Sequence, residues 1–361
     1  MKHFSFFLTL LLLTACTRDP ESGPAPGVGQ TPMQEFYIPG VFRIKLRETA
    51  AELDTRAFTR SGSGSGIAAF DAAATRAGAT AVQRVFSDGD RFRERRRRAG
   101  LHLWYDVHFS GAISVAEAME RFGRVDEVEC IEPVPRMVPA GATVSQADFS
   151  RTSGSDNVAN PGFDDPLLVN QWIYHRVGAA VGSTAVADLN IFPAWSVSTG
   201  HKDVVVAVVD GGIDYTHPDL AANIWRDGQG ACGYNFCRHN TEITPSSHGT
   251  HVAGTIGAVN NNGIGVNGIA GGSGRNDGVK IMSCEILGKS ESGSSGAGLS
   301  GQIRAFKYAA DNGAVICQNS WGYTAGTISE TDWKNGTYSA LTRAIQYFNK
   351  YAGLDENGNQ T

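Results

Sequence analysis

The sequence predicts an α/β protein, a parallel sheet with helices on both faces, preceded by a smaller α+β unit. Three observations carry this. Apolar runs at 204–209, 279–287 and 314–318 are near-continuous, as strands buried on both faces must be, and helical stretches at 250–259, 300–312 and 339–350 alternate with and follow them. Upstream, residues 37–135 have a different rhythm: strand, helix, strand, strand, helix, strand. Between the two, residues 138–165 are rich in Gly, Ser, Asn and Asp, the composition of an exposed connection in which a maturation cut would be tolerated.

The upstream elements follow in order. Residues 41–46 make the first strand. A Ser/Gly linker at 61–66 leads to a helical stretch at 67–78, and 81–86 is the next strand. Leu101, Leu103, Tyr105, Val107 and Phe109 alternate with other residues, which predicts a strand with one buried face. Ser114-Val-Ala-Glu117 is a capping box opening a helix that buries Val115, Ala118, Met119 and Phe122. Residues 125–132 close the set before Pro133. The βαββαβ order is the split βαβ, ferredoxin-like arrangement. Arg91, Arg93, Arg95, Arg96, Arg97 and Arg98 form a basic run between two strands, read as a solvated loop, with docking on an acidic surface or proteolytic nicking as alternatives. Nucleic acid is not expected as a partner, because no aromatic platform accompanies the run and the net charge is -5.

At 361 residues the chain has room for about two domains of ordinary size. A composition 41% hydrophobic and 19% charged is that of a globular protein, and 44 glycines suit a loop-rich α/β enzyme. The N-terminus reads as a targeting segment: Lys2 and His3, then an apolar stretch from 4 to 13 too short to span a bilayer. Leu13-Thr14-Ala15-Cys16 resembles the bacterial lipobox, which implies a signal peptide over 1–15, lipidation of Cys16, a Pro/Gly-rich tether over 16–36, and export to the cell envelope with the membrane reached through the lipid alone. Five further cysteines are an odd number for pairing. Cys232 and Cys237 bracket a short loop that an exported protein can oxidise, and the sequence leaves that pairing open. Cys284 and Cys317 sit in apolar runs, as buried thiols do.

The chemistry is concentrated in two motifs. The apolar run at 204–209 ends on Asp210, at the carboxyl end of a buried strand, where α/β enzymes place reactive groups. His248 opens His-Gly-Thr-His-Val-Ala-Gly, 38 residues later. A carboxylate bonded to one imidazole nitrogen fixes the tautomer and stabilises the imidazolium formed when the ring takes a proton. Together these motifs resemble the Asp and His of a subtilisin-type serine protease, and the order Asp, His, distant Ser is that of subtilisin. Asp214 and His217-Pro218-Asp219-Leu220 continue the resemblance, whereas Gly211 stands where Ser or Thr is more usual.

The resemblance implies more. Asn319-Ser320-Trp321-Gly322 is similar to the segment that pairs with substrate main chain, so Ser320, Trp321 and Gly322 are expected to bind a polypeptide substrate as an added strand, with residues 292–298 opposite. The loop at 259–266 resembles a calcium loop, which assigns Asn261, Asp219 and Gln171 as ligands of a structural Ca2+. Residues 37–137 are expected to act as the protein's own propeptide, an intramolecular inhibitor, and 166–361 as the first part of a catalytic domain. A nucleophile in a Gly-Thr-Ser-x-Ala context is absent from the sequence; Ser329 is the nearest imitation. The expectation is an endopeptidase precursor represented by a fragment that is inactive alone; the alternative is a remnant of the fold that binds peptides without catalysis.

Overall fold

The computed structural model describes residues 37–58, 64–86, 92–110, 112–140, 162–171, 173–174, 188–289, 296, 298–323, 328–355 and 357–359. The 1–15 segment, Cys16, the 16–36 tether and most of the 138–165 connection lie outside them.

Strand β1 (Tyr37–Leu46) is followed by α1 (Ala68–Ala77), β2 (Ala79–Arg84), α2 (Arg93–Arg98), β3 (Trp104–Phe109), α3 (Val115–Phe122) and β4 (Val128–Pro135). The four strands form one antiparallel sheet in the order β2-β3-β1-β4. Helix α1 stops where Gly78 takes a left-handed φ of 70° and donates to the carbonyls of Ala74 and Thr75. Helix α3 starts on Ser114, whose side chain accepts the Glu117 amide at 3.1 Å. Both helices cover one face of the sheet, where Phe42, Phe70, Tyr105, Val107 and Phe122 are buried together. Phe122 meets Phe42 and Phe70 edge-on at 5.3 and 5.5 Å, a favoured aromatic geometry. Met119, expected in this core, is only partly buried.

Two expectations for this region need correction. The alternation at 101–109 predicts one buried face, but residues 101–103 form a 3-10 turn and β3 is buried on both sides. Trp104 and Asp106, on the face away from α1 and α3, meet helices from the second half of the chain. Arg93–Arg98 of the arginine run form a helix, not a solvated loop, and Arg95 and Arg96 are buried, while Arg91 lies outside the described residues. The Arg95 guanidinium lies 4.3 Å from the Phe92 ring and 5.1 Å from Tyr351, and donates to the Leu354 carbonyl. Aromatic faces and a carbonyl thus replace water around that cation. Arg97 and Arg98 remain exposed, paired with Glu52 and Glu94.

The chain continues through β5 (Met137–Pro139), α4 (Ile191–Trp195), β6 (Val205–Asp210), β7 (Gly233–Asn235), α5 (Ser247–Gly257), β8 (Lys280–Glu285), α6 (Gly298–Asp311), β9 (Ala314–Asn319), β10 (Trp321–Tyr323), α7 (Glu330–Lys334) and α8 (Ser339–Tyr351). Strands β7-β8-β6-β9 form a parallel sheet in that order. Val206 and Val208 of β6 pack with Ala253 of α5, while Ala207 and Val209 pack with Ile303 and Phe306 of α6 and with α8. Successive side chains of one strand thus enter two cores, which is why its sequence is apolar without interruption. In the described sheet β9 is an outer strand, and Ile316 is 50% exposed there. Cys232 and Cys237 are free thiols with separate partners: Arg226 donates to the first and the Gly288 amide to the second.

Candidate active site

Asp210 ends β6 with its carboxylate fully buried. Its Oδ1 accepts the Gly211 amide at 2.6 Å and lies 2.6 Å from Nδ1 of His248. The turn after β6 and the start of α5 approach closely enough to enforce this contact. A Cβ on Gly249 would fall 2.1 Å from the Gly211 carbonyl oxygen, and a Cβ on Gly211 would fall 2.2 Å from Ser246 Oγ. Ser246 caps α5 by accepting the Gly249 amide at 3.0 Å, which fixes the turn that carries His248. Gly211, where a hydroxyl residue is more usual, therefore makes room for a capping serine.

His248 has a second short contact, from Nε2 to the carbonyl oxygen of Ala140 at 2.9 Å. A carbonyl oxygen only accepts, so acceptors at both ring nitrogens fit the doubly protonated imidazolium. The hydrogen bond to Asp210 accordingly raises the His248 pKa above the ordinary value, the Ala140 carbonyl adds to the effect, and partial burial opposes it. An Asp-His pair of this geometry can serve as the acid–base half of a nucleophilic hydrolase site, and the Ala140 oxygen occupies the nitrogen that would accept a proton.

Ala140 is held there by the segment expected to bind substrate. Strand β5 pairs antiparallel with β10, Trp321 opposite Pro139 and Gly322 opposite Val138. The Ala140 amide donates to the Ser320 carbonyl at 2.8 Å. Ser320, Trp321 and Gly322 thus bind main chain, and that main chain is the protein's own. Of the opposing 292–298 stretch, 292–295 and 297 lie outside the described residues. Ser329 serves as the cap of α7, its Oγ donating to Asp332 at 2.6 Å.

The residues assigned to calcium converge on one loop system. Gln171 Oε1 accepts the Asn267 amide, and Asp219 Oδ2 accepts the Val266 amide. Asn261 turns its Oδ1 to the Asp164 amide, and it is Asn262 that reaches Asp219, at 2.9 Å. Sequence reasoning missed Asp165, a buried carboxylate that accepts from the amides of Asn261 and Asn262 and from the Asn267 side chain. Burial raises the Asp219 pKa and the negative Asp165 adds to the rise, while hydrogen bonds from Val266 and Asn262 oppose it. Asn267 Oδ1 is buried with no hydrogen-bond partner among the described residues. Two close buried carboxylates and an orphaned amide oxygen fit a hard cation. Among the described residues no cluster of three or more His, Cys, Asp or Glu suits a metal, so such an ion would depend on amide and main-chain oxygens.

The fold and site define a class: an α/β core with a largely parallel sheet, carrying an Asp-His pair beside a strand that pairs with the chain's own β5. Residues 201–358 match the model of the subtilase family, peptidase S8. A thermophilic serine proteinase of Bacillus sp. (strain AK1) is 37% identical over 137 residues, 38% of this chain and 30% of that protein. Neuroendocrine convertase 2 of Bos taurus is 37% identical over 117 residues, 30% of this chain and 18% of that protein. The match thus spans less than a third of the length of these relatives. The epidermin leader peptide processing serine protease of Staphylococcus aureus is 14% identical, with a TM-score of 0.47 over 87% of this chain and 58% of that one.

Proposed function

We propose that the chain supplies the Asp and His of an Asp-His-Ser endopeptidase precursor, with residues 37–140 folded over the site as its ferredoxin-like inhibitory prodomain. One observation carries the reading: β5 lies on β10 as an added strand and ends with the Ala140 carbonyl on His248 Nε2. In the active protein His248 takes the hydroxyl proton of the attacking serine, and Asp210 holds the ring in the tautomer that can accept it. The acyl group then leaves by hydrolysis. Residues 1–361 hold no Gly-Thr-Ser-x-Ala motif, so on this reading a further segment supplies the hydroxyl. The substrate class is polypeptide, read through main chain at Ser320, Trp321 and Gly322.

Within the 138–165 connection we take the bond after Ala140 as the maturation cut, a reading supported by the Ala140 carbonyl on His248. Breaking its C–N bond places the water oxygen on the Ala140 carbonyl carbon and a proton on the Gly141 amine, leaving the prodomain docked as a product. A structural calcium ion held by Asp219, Gln171 and the 259–267 loop, and a lipid anchor at Cys16, complete the reading. In a chain that includes the serine-bearing segment, mass spectrometry should find a mature N-terminus at Gly141, and H248A should abolish that cut. A mature N-terminus elsewhere, or cleavage that survives H248A, refutes the assignment.

A further inference from the structure

The contact between the antiparallel sheet and the helices beneath it is polar at its centre, and its charges do not balance pairwise. Arg43 of β1 is fully buried and donates from Nε to Asp106 Oδ1 at 2.7 Å. Its Nη2 donates to Ser300 Oγ of α6 at 2.6 Å, and that hydroxyl in turn donates to Asp106. Glu132 of β4, with 1% of its side chain exposed, faces the far side of the same guanidinium, Nη1, at 3.8 Å. Neither that Nη1 nor Glu132 Oε1 has a hydrogen-bond partner among the described residues. The other carboxylate oxygen accepts from Ser339 Oγ at 3.3 Å, and the Ala340 amide of α8 also donates to this carboxylate. One cation is therefore shared by two buried carboxylates, and Asp106 holds it closely.

We infer that Glu132 makes docking of the sheet on α6 and α8 proton-linked, the docked state holding a proton on this carboxyl and the grip loosening as pH rises. This rests on the prodomain reading above and adds its regulation. A neutral Glu132 leaves the Arg43–Asp106 pair balanced, and the unpartnered Oε1 can carry the hydrogen; an ionised Glu132 adds an uncompensated buried charge. Burial accordingly pushes the Glu132 pKa from 4.5 up to about 7, against the pull of Arg43 and the hydrogen bonds from Ala340 and Ser339, with Asp106 adding to the rise. The remaining groups that face this cluster titrate elsewhere: burial holds the Cys130 thiol and the Tyr323 phenol above their ordinary values. Arg304 of α6 feels Asp106 but donates to the Ser300 carbonyl.

The sign follows from proton linkage. The docked carboxyl has the raised pKa, so its contribution to docking is complete below 4.5 and is lost as pH rises through about 7. For those values the opening equilibrium should rise about tenfold between pH 6 and pH 8. Hydrogen exchange of the full chain reads this at the Ala340 amide and the β10 amides, corrected for intrinsic rates. The His248 pKa is also raised, by its hydrogen bonds to Asp210 and to the Ala140 carbonyl, so the share of Glu132 is the difference between wild type and E132Q. Wild type should show the rise and E132Q should lose most of it; equal slopes overturn the inference. Should E132Q fail to fold, the carboxyl of labelled Glu132 in the wild-type chain decides by isotope-edited infrared titration: a midpoint near 7 supports it and one below about 5 refutes it. Cleavage after Ala140 is read independently, so failure there leaves this result standing.

Discussion

The two four-stranded sheets differ in what covers their faces and in what they carry. In the antiparallel sheet β3 and β1 are flanked on both sides, one face is sealed by α1 and α3, and the core on that face is apolar throughout. The parallel sheet is sealed above and below, yet β9 lies outermost with Ile316 half exposed. Among the described residues the Asp210–His248 pair belongs to the second region, at the carboxyl end of the parallel strands. Where they meet, Val85, Phe86, Leu101 and Trp104 of the first region enter the core of the second, beside Phe306 and Phe348. The first region can therefore stand largely on its own residues, whereas the second takes part of its core from the first.

The largest expected effect separates the regions by chemistry. In the matured, serine-bearing enzyme, His248→Ala should lower kcat by about 10⁶ and Asp210→Asn by about 10⁴, by analogy with related changes in other serine proteases. Substitutions on the exposed faces of α1 and α3 should leave the mature enzyme's kcat unchanged. Steady-state kinetics on a peptide substrate checks both, and retention of activity in His248→Ala would end the catalytic assignment.

The next effect tests which core belongs to which region. Phe70 and Trp104 are both buried, and truncating either to Ala should cost about 3–5 kcal/mol. Phe70 belongs to the first core, so Phe70→Ala should raise exchange in residues 37–135 and leave α6 and α8 protected. Trp104 belongs to the shared core, so Trp104→Ala should loosen both regions together. Identical exchange patterns for the two variants would mean that the regions unfold as one unit.

What the sequence revealed follows the same division. The parallel strands were legible because a strand buried on both faces cannot hide its composition, and the His248 motif because its small residues are demanded by contacts such as Gly249 on Gly211. Strands β5 and β10 were not legible as a pair: each has three residues, and their pairing joins segments far apart in sequence. Ala140, the residue on His248, has no side-chain signal because it acts through its main chain. The arginine run misled for a related reason. Charge density suggests solvent, and only Phe92, Tyr351 and the Leu354 carbonyl, which come together in three dimensions, show why Arg95 is buried. Asp165 had a faint signal in the Asp164-Asp165 doublet, but nothing local ties that doublet to a loop near residue 261.

Calcium should act on the second region with a smaller effect. At a free concentration a hundredfold above its Kd the ion would add about 2.7 kcal/mol to stability. Thermal unfolding with and without chelator should show the shift, and Asp219→Asn should remove most of it while the first region's exchange pattern stays as it was. An unchanged melting temperature on adding calcium would remove the ion from the proposal and leave the Asp210–His248 assignment intact.

The smallest effect compares two serines doing the same local work. Ser114 caps α3 by accepting the Glu117 amide, and Ser246 caps α5 by accepting the Gly249 amide. Replacing either with Ala leaves a buried or half-buried amide without its acceptor and should cost about 1 kcal/mol. The consequences should then diverge. Nothing in α3 carries chemistry, so Ser114→Ala should lower the melting temperature and leave the mature enzyme's kinetics alone. Ser246 lies two residues before His248, and its Oγ occupies the space beside Gly211, where the turn after Asp210 passes. Loss of that oxygen frees both the first turn of α5 and the turn that carries the carboxylate, so Ser246→Ala should lower kcat more than its stability cost accounts for, with KM little changed. Ser246→Thr, which keeps the hydroxyl, should restore kcat provided its added methyl is accommodated beside Gly211. If Ser246→Ala and Ser114→Ala behave alike in kinetics, the cap is a structural part only and His248 is positioned by Asp210 alone.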